Sequence, residues 1–140
     1  MSKMSKPSSY LMLLIWTLIA AGAVADERED AAGVAALEWL TALDSGQYEV
    51  TWNEAAPLFK TQVTKQQWVE TASGVREPLG KLQSRTLKSA TYSTNLPGAP
   101  DGEYVVLQFD SSFANKASAV ETITPMLADG VWRVSGYFIR

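Results

Sequence analysis

The stretch EYVVLQFDSSFANKASAVETITPMLADGVWRVSGYFI, residues 103–139, decides the fold, because it holds three runs of strand-forming residues separated by turn signals. The first turn lies near Asn115, and the second is Asp129-Gly130, a pair that strongly favours a two-residue hairpin. A fourth strand-like run precedes them, beyond a loop with two prolines. Short connections make neighbouring strands antiparallel. The sequence therefore predicts a four-stranded meander, with strands near 82–94, 103–113, 117–128 and 131–139.

Side-chain alternation along these strands predicts which residues face the core. In the second strand, one face carries Val105, Leu107, Phe109 and Phe113. In the fourth strand, strict alternation groups Trp132, Val134, Gly136 and Phe138 on one face, and Arg133, Ser135, Tyr137 and Ile139 on the other. Both faces are partly apolar, so the outer face is expected to meet a second subunit or to be covered by another segment.

Upstream of the strands the apolar spacing is helical. A first helix is predicted over 27–45 and ends before Gly46; its apolar face is Ala32, Ala36, Trp39, Leu40 and Leu43. A second, shorter helix near 48–56 is interrupted by Pro57, and an apolar connection follows. Thr64 and Gln67 form a capping-box pattern that opens a third helix. Its apolar face is Trp68, Val69, Ala72 and Val75, with Arg76 placed as a cation near its C-terminus. The prediction is an α+β fold with about three helices packed on one face of the sheet.

The N-terminus reads as a signal peptide. Lys3 and Lys6 precede an apolar run from Leu11 to Ala21, and Ala23-Val24-Ala25 fits a cleavage site. An uncleaved anchor is the alternative, but the run is shorter than the ~20 apolar residues that a spanning helix needs. The sequence thus predicts a leader over 1–25, one domain over 26–140 with no stable membrane span after cleavage, and a periplasmic or secreted location.

Composition excludes several function classes. After removal of residues 1–25, ten Lys and Arg stand against fifteen Asp and Glu, a formal charge of −5, and the basic residues are scattered. Binding to a nucleic acid, which needs clustered Lys and Arg, is not expected. The chain has no Cys and no His. A lipid-modified cysteine, disulfides, a Ser-His-Asp triad and a standard zinc site are therefore excluded, and no metal or other cofactor is predicted.

Several stretches resemble a family of small exported bacterial proteins known as domain of unknown function 4019. They include Asp44-Ser45-Gly46-Gln47-Tyr48, the segment 75–80, the loop 96–104, Phe113-Ala114-Asn115-Lys116 and the segment 129–137. The resemblance extends over nearly the whole of residues 26–140. It implies no activity and no functional residues. The three-helix, four-strand layout is similar to cystatin-like and nuclear-transport-factor-2-like folds, and a shared fold does not fix function.

Carboxylates, Tyr, Lys and Arg remain as reactive groups. The hairpin around Asn115 brings Asp110 opposite residue 120 or 121, so Asp110 and Glu121 could act as an acid–base pair. Solvation, or ion pairing with Arg85 or Arg133, is the favoured interpretation, and Glu121 with Arg133 is a predicted cross-strand pair. No catalytic residue is assigned.

A cavity between the helices and the sheet would suit a small amphipathic ligand. Its predicted lining residues are Trp52, Trp68, Arg85, Tyr92, Tyr104 and Tyr137, although aromatic residues at such spacing more often belong to the core. The leading hypothesis is a non-enzymatic envelope module that binds a small ligand or an envelope protein. A small enzyme with carboxylate or Tyr acid–base chemistry, and a structural or homodimerisation domain, remain as alternatives.

Overall fold

A computed structural model describes the backbone of residues 20–140 and the side chains from Glu27 onward. Within these residues four helices precede four strands. The helices are α1 (Ala20–Asp44), α2 (Tyr48–Glu54), α3 (Pro57–Gln62) and α4 (Lys65–Leu79). The strands are β1 (Leu82–Ser93), β2 (Tyr104–Phe113), β3 (Lys116–Ala128) and β4 (Val131–Ile139), paired antiparallel in the order β1-β2-β3-β4. The predicted α+β fold and meander are confirmed.

Helix α1 buries the apolar face that its spacing predicts. Its buried residues are Ala32, Ala36, Trp39, Leu40 and Leu43, and the helix ends ahead of Gly46, whose φ is +75°. The helix is already formed at Ala20, where the described residues start, and so extends further toward the N-terminus than the predicted residue 27. The predicted leader over 1–25 lies mostly outside the described residues.

The segment after Pro57 is a helix, so its prediction as an apolar connection between helices was wrong. Pro57 is the first residue of α3, a position where a proline loses nothing because the first N–H of a helix has no partner in the helix. The Ala56 N–H donates to the Val134 carbonyl over 2.7 Å, which fixes the α2–α3 junction to β4.

Helix α4 starts with the predicted capping box. Thr64 accepts a hydrogen bond from the Gln67 N–H, and the Gln67 side chain accepts one from the Thr64 N–H. The predicted inner face needs correction, because Val75 is exposed and Arg76 is buried beside Trp68 and Ala72. The partly buried carboxylate of Asp44 pairs with Arg76 and makes its burial possible.

The core fills the space between α1, α4 and the inner face of the sheet. Trp39 lies at its centre, with ring centroids 5.8 Å from Trp68 and 5.6 Å from Tyr137. Both indole N–H groups donate to Thr51, Trp39 to its carbonyl and Trp68 to its hydroxyl. Thr51 is fully buried, so α2 joins the two tryptophans through satisfied polar groups.

A β-bulge changes the faces of β4. Opposite β3 the register passes from Thr124–Gly136 to Pro125–Val134, so Ser135 is an extra residue. Pro125 has no N–H to give to the ladder, which explains an irregularity at this point. Beyond the bulge Tyr137 shares the inner face with Val134, and Phe138 lies exposed. The strict alternation predicted for β4 was therefore wrong.

Gly80, at the end of α4, offers a first test of the fold. Its φ of +74° and ψ of −164° form a conformation that essentially only glycine adopts, and an added Cβ would lie 3.1 Å from the Ala114 Cβ. We expect Gly80→Ala to lower the free energy of unfolding by about 2 kcal/mol or more in urea denaturation. Gly46→Ala is the matched control, since its φ is +75° and no described atom lies within 4 Å of its Cβ position. Its expected loss is about 1 kcal/mol, and equal losses would show that contact with Ala114 contributes nothing.

Candidate functional site

Four charged side chains, two buried and two partly buried, cluster where α1 and α4 meet the sheet. We call Asp44, Arg76, Arg85 and Glu121 the buried ion cluster. Asp44 is the last residue of α1, Arg76 lies on α4, Arg85 on β1 and Glu121 on β3. Charged groups of this kind are rarely buried unless each one has partners, and the partners come from every strand of the sheet.

Glu121 is fully buried and its carboxylate accepts four hydrogen bonds. Arg85 donates through Nε over 2.7 Å and through Nη2 over 3.1 Å, a bidentate geometry. The Ser111 hydroxyl donates over 2.5 Å and the Tyr137 hydroxyl over 2.6 Å. Tyr137 reaches Glu121 because the bulge at Ser135 turns it to the inner face. The carboxylate is thus saturated by groups from β1, β2 and β4.

Asp44 connects the two arginines. It accepts hydrogen bonds from Arg85 Nη1 over 2.8 Å, from Arg85 Nη2 over 2.9 Å and from Arg76 Nη2 over 2.6 Å. Arg85 therefore bridges both carboxylates, while Arg76 contacts Asp44 alone. The cluster holds two cations and two anions, so its formal charges cancel.

The surroundings of the buried ion cluster shift the pKa values of Asp44 and Tyr137. Burial by itself disfavours the charged form of Asp44, but hydrogen bonds from Arg85 and Arg76 outweigh it and hold the pKa below its ordinary value. Burial, together with the nearby Glu121 carboxylate that its hydroxyl contacts, raises the pKa of Tyr137 far above its usual range. Tyr137 therefore stays protonated and acts as a donor.

The lowered pKa of Asp44 predicts a pH dependence of stability. Its folded-state pKa lies below its unfolded value, so its contribution is fully present above the unfolded pKa and is lost as the pH falls through the folded pKa. We expect the difference in free energy of unfolding between the wild type and Asp44→Asn to be constant above about pH 5 and to shrink below about pH 4. Urea denaturation from pH 7 to pH 2 measures this difference. A difference that grows on acidification would contradict the assignment.

A pocket of about 170 Å³ opens beside the buried ion cluster, between α4 and the C-terminal half of β4. Its walls are mainly apolar and include Leu43, Trp68, Ala72, Val75, Tyr137 and Ile139. The volume is close to that of an engineered apolar cavity of ~150 Å³ that binds benzene. The pocket therefore fits one aromatic ring or a short branched chain.

Arg76 supplies the polar part of this pocket. Its side chain is 5% exposed, and its Nε and Nη1 atoms have no hydrogen-bond partner among the described residues. Its Cζ lies 4.9 Å from the centroid of the Phe113 ring, a face that stabilises a cation but replaces no oxygen acceptor. Unsatisfied buried donors cost about 1–3 kcal/mol. Arg76 also lines a more polar recess with Asp44, Tyr48 and Lys81.

The structure brings together three of the six predicted lining residues. Trp68 and Tyr137 line the pocket. Arg85 lies next to them, because it and Tyr137 both donate hydrogen bonds to the Glu121 carboxylate. The other three lie elsewhere and form local contacts. Trp52 donates to the Val63 carbonyl, Tyr92 to Glu103, and the buried Tyr104 to the Pro100 carbonyl.

The predicted hairpin register is confirmed, but the residues that it brings together differ from the prediction. Asp110 lies opposite Val120 and is exposed, whereas Glu121 lies opposite Phe109 and is buried, so the two carboxylates occupy opposite faces. The predicted pair of Glu121 with Arg133 is wrong, because Glu121 lies opposite Ile139 and Arg133 opposite Met126. Arg85 is the partner of Glu121, as the ion-pair interpretation allowed.

Two central residues were missed. The sequence predicts Arg76 as a cation favoured by the helix C-terminus and assigns Asp44 no role in a site. The available signal was spacing, since Arg76 follows Trp68 and Ala72 at intervals of four and lies on their face of α4. Among the described residues no three acidic side chains gather as a metal site would require.

Fold and pocket define this protein as a small α+β domain with an apolar pocket beside a buried ion cluster. The model of the DUF4019 family, described as a protein of unknown function, matches residues 35–137, and the chain belongs to this family. The match includes the whole buried ion cluster. No curated protein matches the chain. Within the described residues, no helix is both long and apolar enough to cross a membrane.

Proposed function

We propose that this protein is an exported, non-enzymatic module that binds a small ligand in the pocket between α4 and β4. The observation that carries the proposal is the pocket itself, an apolar cavity with aromatic walls and one arginine with unpaired donors. Apolar walls with a few convergent polar groups are typical of ligand sites.

The state of the neighbouring ionisable groups favours binding over acid–base chemistry. A general base needs a free lone pair within reach of a substrate. Glu121 is fully buried and already accepts four hydrogen bonds. Tyr137 lines the pocket, but its proton is held by Glu121 and its pKa is raised. The acid–base alternative would need the buried ion cluster to open during turnover.

Ligand-observed NMR with single-ring aromatic compounds tests the pocket. Val75 lines the pocket and is 42% exposed, so Val75→Trp is expected to fill the pocket without disturbing the core and to abolish binding. Glu70→Trp is the matched control, since Glu70 is exposed on the same helix and lies outside the pocket lining. Binding that survives in Val75→Trp, or is absent from the wild type, would refute the proposed site.

Export is the second part of the proposal, and it rests on the leader-like sequence before Asp26. Expression of the full chain in a bacterial host is expected to give a periplasmic or secreted protein whose first residue is Asp26. Intact-mass measurement of the fractionated protein measures the cleavage site. Recovery of the uncleaved chain in the membrane fraction would instead support an anchor.

A further inference from the structure

Arg76 makes it possible to specify the chemistry of the ligand. Its guanidinium group is almost entirely buried and donates one described hydrogen bond, from Nη2 to Asp44. Nε and Nη1 have no acceptor in the described part of the chain. Arg85, by contrast, uses Nε, Nη1 and Nη2 on Asp44 and Glu121. Of the two arginines, Arg76 is thus the one whose donors lack an acceptor; both atoms are closed off from solvent, so a ligand in the pocket reaches them when the Arg76 side chain turns toward it.

The charge of the surroundings decides between an anionic and a neutral acceptor. The positive charge of Arg76 is already compensated, because Asp44 Oδ1 lies 2.6 Å from its Nη2. A ligand carboxylate on the same guanidinium would lie within a few ångström of Asp44, so attraction by Arg76 and repulsion by Asp44 would largely offset each other. The carboxylate would also lose its hydration without a net electrostatic gain. A carbonyl oxygen accepts from a guanidinium without adding charge.

We infer that the pocket takes a small neutral molecule, an aromatic or branched ketone, ester or amide, whose carbonyl oxygen accepts a hydrogen bond from Arg76 while its apolar part packs against Trp68 and Ile139. The inference rests on the proposed function, since it assigns a chemical class to the ligand of the same pocket. The 170 Å³ volume limits the apolar part to about one ring.

Three probes of nearly equal size separate what the shape, the hydrogen-bond acceptor and the charge of a ligand contribute to its affinity for the pocket. Acetophenone offers a neutral carbonyl, benzoate a carboxylate and ethylbenzene no oxygen. Titrations of the full chain followed by NMR are expected to show acetophenone binding at least about tenfold more tightly than ethylbenzene, as a hydrogen bond to a charged donor implies. Benzoate is expected to bind more weakly than acetophenone as well, because it loses its hydration while Asp44 offsets its attraction to Arg76.

Arg76→Lys is the diagnostic variant. Lysine keeps a positive charge for Asp44 but lacks the planar set of donors, so the preference for acetophenone over ethylbenzene is expected to fall to about threefold or less. Arg76→Met removes the charge as well and should give the same loss of preference; far-UV circular dichroism establishes that both variants are folded. A preference that survives in both folded variants would overturn the role of Arg76.

The remaining outcomes separate this inference from the proposed function. If benzoate binds most tightly, or acetophenone and ethylbenzene bind equally, the neutral-carbonyl inference is overturned and the pocket stands as a ligand site. If none of the three probes binds, both the inference and the proposed pocket fail.

Discussion

Replacing Glu121 by alanine is expected to lower the free energy of unfolding by about 3–5 kcal/mol, the usual cost of removing one partner of a buried ion pair. The carboxylate is fully buried and holds Arg85, Ser111 and Tyr137 by four hydrogen bonds. Its loss leaves the Ser111 and Tyr137 hydroxyls and the Nε of Arg85 without an acceptor, while Arg85 Nη2 keeps its bond to Asp44. Urea denaturation at pH 7, followed by far-UV circular dichroism, measures the effect.

Two further variants show whether the burial and the charge of Glu121 cause the loss of stability expected for Glu121→Ala. Asp110→Ala removes a carboxylate from the outer face of the adjacent strand, where it is exposed, and should change the free energy of unfolding by less than about 0.5 kcal/mol. Glu121→Gln keeps the size and one acceptor oxygen, so its loss should lie between the two. Similar small losses for Glu121→Ala and Asp110→Ala would mean that the buried ion cluster adds nothing to stability.

The contrast between these two acids shows how far sequence reasoning reaches. Turn residues and alternation specify the hairpin around Asn115, and the observed pairing of Asp110 with Val120 agrees with the prediction. In the same way, the apolar spacing of α1 identified its buried face residue by residue. Local patterns suffice wherever a single element and its neighbouring turn determine the geometry.

Patterns fail where a long-range contact overrides them. The bulge at Ser135 depends on Pro125 of the neighbouring strand, and it reverses the faces of the last residues of β4. The burial of Arg76 depends on Asp44, 32 positions earlier in the chain. A charged side chain on an apolar helix face therefore predicts burial only when its partner is known, and no spacing within α4 indicates that partner.

The candidate site illustrates the same limit. Trp52 and Trp68 both follow apolar spacing, and the sequence predicts both in the cavity wall. In the structure Trp52 is half-buried, its N–H donates to Val63, and Lys60 and Lys65 lie over its ring, while Trp68 lies in the core and in the pocket wall. The two tryptophans therefore differ in their tertiary contacts, although their spacing in the sequence is alike.

Of the four tryptophans that the structure describes, Trp39 is expected to be the one whose loss costs most stability. It is 3% exposed, packs against Trp68 and Tyr137, and donates to the Thr51 carbonyl over 2.8 Å. Trp39→Ala removes a large buried ring and leaves that carbonyl without its donor, so we expect the free energy of unfolding to fall by about 3–5 kcal/mol. Because Trp68 and Tyr137 also line the pocket, collapse of the new cavity should weaken binding of the aromatic probes as well.

Trp52→Ala is the matched control, because it deletes the same side chain from a half-buried position on α2. Its expected loss is below about 2 kcal/mol, since only part of the ring is removed from water on folding. Trp39→Phe separates the two contributions at position 39, because it keeps an aromatic ring in the core but removes the donor to Thr51. If Trp39→Ala and Trp52→Ala lower the free energy of unfolding equally, the core is not centred on Trp39. If Trp39→Phe matches Trp39→Ala, the hydrogen bond to Thr51, rather than the packing of the ring, holds α1 to α2.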